Sequence, residues 1–355
     1  MASLPATLGA FRGADAPDLE ALRKCVHCGI CVPQCPTFRV LGEEMDTPRG
    51  RLYLMRAAAE GRLGAVLAAL SVYRRSGLRW LVRATGLLRP FPRLAAMEAL
   101  VDGVPRAAPL PAVVPARGRR RGRVGLLTGC VQRHLYPGVN RDAARLLALA
   151  GYEVVVPAAQ GCCGALELHA GRADAFRARA RALAAAFPAD LDFVVTSAAG
   201  CGAAMKAYGH WLRDAADLGA KTRDVLELLA EAELPLGPLP LTVTYHDACH
   251  LAHGQRLRQE PRALLRRIPG LTLLELPDSD LCCGSAGVYN LLEPAIARDL
   301  LERKLACIAA TGARVIAAAN PGCLLQIAAG CQARGLDVEI VHPVELLARA
   351  AERAP

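Results

Sequence analysis

Aromatic residues make up only 4% of this 355-residue chain, with six Phe, seven Tyr and two Trp. Nucleic-acid binding would want aromatics interleaved with basic residues or a recognition motif, and neither is present. No uninterrupted apolar run approaches the ~18 residues that a membrane-spanning helix needs, because the candidates are broken by Glu153, Arg314 or clustered Gly and Pro. The opening segment, MASLPATLGAFRGADAPDLE, has no basic stretch leading into an apolar core, so a reducing, cytoplasmic setting is expected. Phosphate-cradling patterns are missing too: there is no G-x-G-x-x-G and no G-x-x-x-x-G-K-S/T. No dinucleotide or nucleotide site is therefore indicated in this chain. Disorder is excluded by composition, with 53% hydrophobic and 21% charged residues.

Cysteine is abundant, at 14 residues. In a reducing compartment these are metal ligands or redox groups before they are disulfides. The formal charge of +10 comes mostly from arginine, which supplies 39 of the 43 basic residues and is spread along the whole chain. Only RGRRRGR, from Arg117 to Arg123, forms a compact basic run. It reads as a solvated linker first, and as a contact for an acidic partner or membrane surface second.

The chain divides into four pieces. Residues 1–61 hold the first cysteine group, and residues 62–122 read as a helical connector that runs into a Pro-rich, basic linker. Residues 123–236 and 237–355 are copies of one another. Cys130 and Cys249 are 119 residues apart, Cys162–Cys163 and Cys282–Cys283 are 120, and Cys201 and Cys323 are 122. That regularity marks a tandem duplication. Each cysteine group follows a short β-branched run and precedes a helical stretch such as ADAFRARARALAAAF or PAIARDLLERKLACIAA. Such alternation predicts two duplicated α/β domains with parallel sheets, behind a small helical part, and it places the cysteines at the carboxyl ends of strands. Helix N-termini near Cys163, Cys201 and Cys323 would favour their thiolates.

Cys25, Cys28, Cys31 and Cys35, followed by Pro36, have the C-x2-C-x2-C-x3-C-P spacing of bacterial ferredoxins and predict a 4Fe–4S cluster at this run. Zinc usually wants two separated ligand pairs, and His27 reads as a surface or packing residue. In two-cluster ferredoxins the fourth cysteine serves a second cluster, but no second copy of the run exists here. The four cysteines are read as one site, with Cys307, Cys331 or a partner chain as other sources of a ligand. The repeats each offer four thiols: Cys130, Cys162, Cys163 and Cys201, then Cys249, Cys282, Cys283 and Cys323. An all-sulfur set suits further iron–sulfur clusters or zinc, and a metal-free thiol/disulfide pocket is the third reading. In His246-Asp-Ala-Cys249-His250-Leu-Ala-His253, the histidines either donate hydrogen bonds near the ligand, move protons, or simply cap a strand-end loop; Asp247 reads as a cap.

The ferredoxin run, the stretch GEEMDTPRGRLYLMRAAAEG, and the repeat segments YHDACHLAHGQRLR, SDLCCGSAGVYNLLEP and NPGCLLQIAAG together resemble the iron–sulfur subunits of bacterial glycolate oxidase. More broadly they resemble the lactate-utilisation and heterodisulfide-reductase subunits. The likeness covers nearly the whole chain. It implies a ferredoxin-like part joined to two cysteine-rich domains. It also implies FAD-containing partner subunits that oxidise glycolate, or a similar 2-hydroxy acid, to glyoxylate, and onward transfer to a quinone-like acceptor at the inner face of the membrane. The runner-up is a lactate-utilisation or heterodisulfide-reductase-like subunit with its own thiol/disulfide or quinone reductase activity; a scaffold with zinc in the repeats is third. Family members carry a second ferredoxin run, whereas here Gly61 is followed directly by LGAVLAALSVYRRSGLRW; nor do Cys201 and Cys323 continue into the C-x-x-C of the heterodisulfide reductases.

Overall fold

The computed structural model describes residues 110–169, 172–287, 290 and 294–354, with Thr85. The N-terminal run with Cys25, Cys28, Cys31 and Cys35, and most of the connector, lie outside the described residues. What is described is an α/β fold with two sheets. The first holds β1 (Val113–Val114), β2 (Gly122–Leu127), β3 (Tyr152–Val155), β4 (Phe193–Thr196) and β5 (Thr222–Asp224), in the order β1-β3-β2-β4-β5. The second holds β6 (Thr242–His246), β7 (Thr272–Leu274), β8 (Val315–Ala318) and β9 (Glu339–Val341), in the order β7-β6-β8-β9. All pairings are parallel except that of β1, which runs antiparallel along β3. Setting β3-β2-β4-β5 against β7-β6-β8-β9 shows one topology twice, so the duplication in sequence is a duplication in space.

Parallel strands are covered on both faces and so read as continuous apolar runs. β8, Val-Ile-Ala-Ala, is buried at every position. The covering helices begin and end as their sequences direct. Helix α1 (Pro137–Leu149) starts with proline in its first turn, where the missing N–H costs nothing, and buries Val139, Ala143, Ala144, Leu146 and Leu147 along one stripe. The other principal helices are α2 (Ala165–His169), α3 (Ala173–Ala186), α4 (Ala199–Lys206), α5 (Val225–Ala230), α6 (Gln259–Arg266), α7 (Pro294–Thr311), α8 (Pro321–Ala333) and α9 (Pro343–Ala351).

One apolar core runs through both repeats. Leu146, Leu147, Leu226 and Leu229 of the first join Leu264, Leu265, Leu346 and Leu347 of the second. Helix α1 packs on α9 and α5 packs on α6. At the opposite end α4 lies against a π-helical turn, His250–Gly254. Here Ala199 N–H donates to Ala319 O at 3.1 Å, and Gly200 N–H donates to Asn320 Oδ1 at 3.2 Å. These bonds join the β4–α4 loop to the β8–α8 loop, so the cysteine-bearing ends of the two repeats meet.

The basic run is exposed to solvent from residue 117 to 121, and it is also tethered to the first sheet. Arg117 N–H bonds Ala148 O at 2.8 Å, Arg121 stacks over the Tyr152 ring, and Arg123 pairs with Glu153 and Asp190. The acidic residues of β3 and of the loop before β4 lie beside this stretch and hold it to the first sheet. Among the described residues no helix is long and apolar enough to cross a membrane.

Candidate metal centres

In each repeat the chain leaves a central strand, β2 or β6, in one direction and returns on its other side, so a crevice opens at the carboxyl ends between β2 and β4, and again between β6 and β8. The eight repeat cysteines lie there. Cys130 follows β2 after a left-handed Gly129, Cys162 and Cys163 follow β3, and Cys201 sits in the first turn of α4. Cys249 follows β6, Cys282 and Cys283 follow β7, and Cys323 sits in the first turn of α8. Tertiary structure thus gathers each set of four cysteines that the sequence spacing had paired.

The Cys-Cys-Gly turns are built alike. Gly164 N–H points at Cys162 Sγ at 3.4 Å, and Gly284 N–H points at Cys282 Sγ at the same distance. Both glycines have φ in the left-handed region, +80° and +87°. A Cβ would meet Phe176 Cδ2 at 2.8 Å in the first and Ala297 O at 2.3 Å in the second, so only glycine fits. The turns are anchored from behind. Tyr208 Oη donates to Cys163 O at 2.7 Å, and Gln160 bridges Thr128 N at 2.7 Å and Leu126 O at 3.1 Å. In the second repeat Lys304, 0% exposed, donates to Asp278 O at 2.6 Å and Ser279 O at 3.2 Å. Asp247 is not the cap the sequence suggested. It accepts both terminal nitrogens of Arg262 at 2.8 Å, and Ser279 Oγ at 2.7 Å, which ties the end of β6 to the loop before Cys282.

Sulfur meets sulfur within each set, with Cys130 and Cys162 3.3 Å apart. Thiols packed this closely cannot all ionise. Hydrogen bonds from Cys130, Cys163 and Gly164 pull Cys162 down to about 3, while bonding to Cys162 and burial push Cys130 and Cys163 up. The second set repeats the alternation: Cys282 is held well below its usual range by Cys249 and Cys283, and Cys323 by Cys283 with His246 beside it. Cys249 and Cys283 are pushed up. Two pockets of partly ionised thiols, soft donors with backbone N–H groups aimed at sulfur, fit iron–sulfur chemistry. All ten described cysteines are free, so no disulfide competes for these sulfurs among them. Cys331 is buried in the core of α8 and Cys307 packs against that core from α7. Burial pushes the Cys331 thiol up to about 11, the behaviour of a packing thiol.

The histidines divide. His253 is exposed and faces Arg258 and Asp280, away from the cysteines. His250 Nδ1 lies 3.6 Å from Cys249 Sγ, and its Nε2 lies 3.1 Å from His169 Nε2, with the rings stacked at 4.8 Å. His250 and His253, three residues apart in the π-helical turn, thus face different partners. His169 carried no signal in the sequence; it reaches this place because α2 directly follows Cys163-Gly164. His246, the last residue of β6, offers a ring nitrogen within 4.8 Å of Cys283 and Cys323 sulfur.

Comparison with known proteins agrees with this architecture. A family described as "Cysteine-rich domain" matches residues 124–206 and 243–328, one match on each repeat. The "Glycolate oxidase iron-sulfur subunit, linker region" family matches residues 59–101, between the ferredoxin run and the first repeat. The chain is 33% identical to the probable glycolate oxidase iron–sulfur subunit of Bacillus subtilis, over 94% of this chain and 95% of that protein. It is 32% identical to the glycolate oxidase iron–sulfur subunit of Escherichia coli, over 96% and 97%. The alignment with the first runs over 421 positions, more than the 355 residues present here, so that relative carries residues this chain lacks. One of the subunits of the fumarate reductase (CoM/CoB) of Methanothermobacter marburgensis is 31% identical over 92% of this chain and 61% of its own length. With two cysteine-rich repeats, the linker between them and the ferredoxin run, and relatives matched end to end, this chain belongs to the family of glycolate oxidase iron–sulfur subunits.

Proposed function

We propose that this chain is the electron conduit of a glycolate-oxidising complex. Two matching four-thiol pockets at strand ends, in a chain without a dinucleotide motif, carry the reading. Oxidation of glycolate to glyoxylate releases two electrons and two protons, and a flavin on a partner subunit takes them as a hydride and a proton. Iron–sulfur clusters, when bound, accept those electrons one at a time and pass them on. The acceptor is a quinone, which takes up two electrons and two protons at the inner face of the membrane. Cys25, Cys28, Cys31 and Cys35 hold one 4Fe–4S cluster in residues 1–61, and residues 62–122 connect it to the repeats at 123–236 and 237–355. Cys130, Cys162, Cys163 and Cys201 serve the first repeat; Cys249, Cys282, Cys283 and Cys323 serve the second. The chain's own part is to exclude water, keep the thiolates paired with N–H donors, and hold both pockets on one rigid core.

Anaerobic purification followed by iron and sulfide counting and electron paramagnetic resonance tests this. Iron, sulfide and a reducible signal are expected, together with co-purification of an FAD subunit. Zinc in place of iron, or no metal at all, overturns it. The 3.3 Å contact between Cys130 and Cys162 favours a second reading, a dithiol that reduces disulfides directly. Turnover of a disulfide or quinone by the isolated chain, without any flavin partner, would select that reading.

A further inference from the structure

The two pockets differ at the end of their central strands. β2 and β6 are equivalent strands, each central and each flanked by the same pair of neighbours. β2 ends on Leu127, opposite Thr196, and β6 ends on His246, opposite Ala318. Leu127 is packed in the apolar core beneath the first pocket. His246 is 1% exposed, and neither of its ring nitrogens has an oxygen or nitrogen partner; the Cys323 thiol is what faces it. A buried polar group without a strong partner is costly, so such a site calls for an explanation. Its surroundings supply one: single donor atoms of His246, Cys283 and Cys323 all lie within 4.8 Å of one another, and all three residues are buried. Metal bonds of about 2.0–2.3 Å from tetrahedral sites put donors roughly 3.5 Å apart, so a modest contraction closes the set. His250 does not compete, since its Nε2 already faces His169 and its Nδ1 faces Cys249.

We propose that His246 is a nitrogen ligand to the metal of the second repeat, beside Cys283 and Cys323, so that the duplicated pockets hold chemically different centres. This rests on the iron–sulfur reading above. The first pocket keeps an all-thiolate shell. The second adds a neutral imidazole to its thiols, so the donor sets of the two pockets differ.

The test uses the full chain, purified anaerobically and reduced, in two preparations carrying natural-abundance or 15N-labelled histidine. Pulsed electron paramagnetic resonance is expected to find a nitrogen coupling that changes with the label, disappears in His246→Gln and survives in His250→Gln. In His246→Cys, where an anionic sulfur replaces the imidazole, the midpoint potential of one centre moves down while the others stay. Iron and sulfide bound at wild-type level with no histidine coupling, or a coupling that survives His246→Gln, overturns the assignment while leaving the conduit reading intact. Absence of iron and sulfide from the wild-type chain removes both. If His246→Gln fails to fold, the label comparison on wild-type protein, with His250→Gln and His169→Gln as controls, still decides: coupling lost in either control overturns it.

Discussion

Gly164 and Gly284 explain why the repeated motif is Cys-Cys-Gly. The turn that aims an N–H at the preceding cysteine sulfur needs positive φ, and the helix behind it leaves no room for a methyl group. Gly284→Ala is expected to lower stability by about 3 kcal/mol, since its Cβ would strike a backbone carbonyl that cannot move alone. Gly335→Ala, also at positive φ but with open space around it, should cost only about 1 kcal/mol. Urea unfolding of the two variants checks the contrast. Asp224 offers a second test at this scale. Burial pushes its carboxyl up to about 7, against the bond from Leu226 N–H and the Lys206 charge. A raised carboxyl pKa means that the fold prefers the protonated form, so stability is full below about pH 4 and falls as pH rises toward 7. Asp224→Asn keeps an oxygen for Leu226 N–H without the buried charge. It should be more stable than the parent by about 2 kcal/mol at pH 8, with the gap closing toward pH 4.

Helices α5 and α9 begin in matching places, behind β5 and β9, and each starts with a capping box. Asp224 and Glu227 form the first; His342 and Glu345 form the second. A histidine can serve as a cap only through an unprotonated nitrogen, and His342 Nδ1 accepts Val344 N–H at 3.1 Å. Burial pulls its pKa down to about 3. The fold thus binds fewer protons than the open chain, so this cap's contribution is complete above about pH 6.5 and is lost as pH falls toward 3. His342→Asn, which keeps the acceptor without the titration, is expected to flatten that acid limb of stability against pH. Thermal unfolding from pH 7 to 4 measures it, and parallel curves for the two proteins would contradict the cap.

At the scale of the molecule the repeats are not independent. Leu347 on α9 belongs to the same core as Leu146 and Leu147 on α1, so Leu347→Ala should cost about 2–5 kcal/mol and weaken both repeats together. A single urea transition is expected, with hydrogen exchange rising in β2 and β6 alike; exchange confined to the second repeat would refute the shared core. Cys25→Ser, by contrast, should remove the N-terminal cluster's iron while far-ultraviolet circular dichroism of the α/β part stays as in the parent. Joining the repeats through one core keeps the two pockets at a fixed separation, as the proposed transfer of electrons would require.

The register of the duplication was legible in the sequence. Offsets near 120 residues paired the right cysteines, and alternating strands and helices announced parallel sheets with those cysteines at strand ends. Local chemistry sufficed for this, because strand pattern, helix pattern and glycine at a left-handed turn are each written within a few neighbouring residues. Other features depend on residues far apart in the chain. Asp247 looked like a cap until Arg262 and Ser279 came within bonding distance of it, and Glu153 and Asp190 meet the end of the arginine run at Arg123 without any sign of this in the local sequence. His169 and Lys304 have no motif and become parts of the site only when α2 and α7 pack. The sequence by itself determined the duplication and which repeat cysteines are equivalent in its two copies. Only the tertiary structure decided that one pocket ends on Leu127 and the other on a His246 without an oxygen or nitrogen partner, because burial and the absence of such a partner are properties of the packed core.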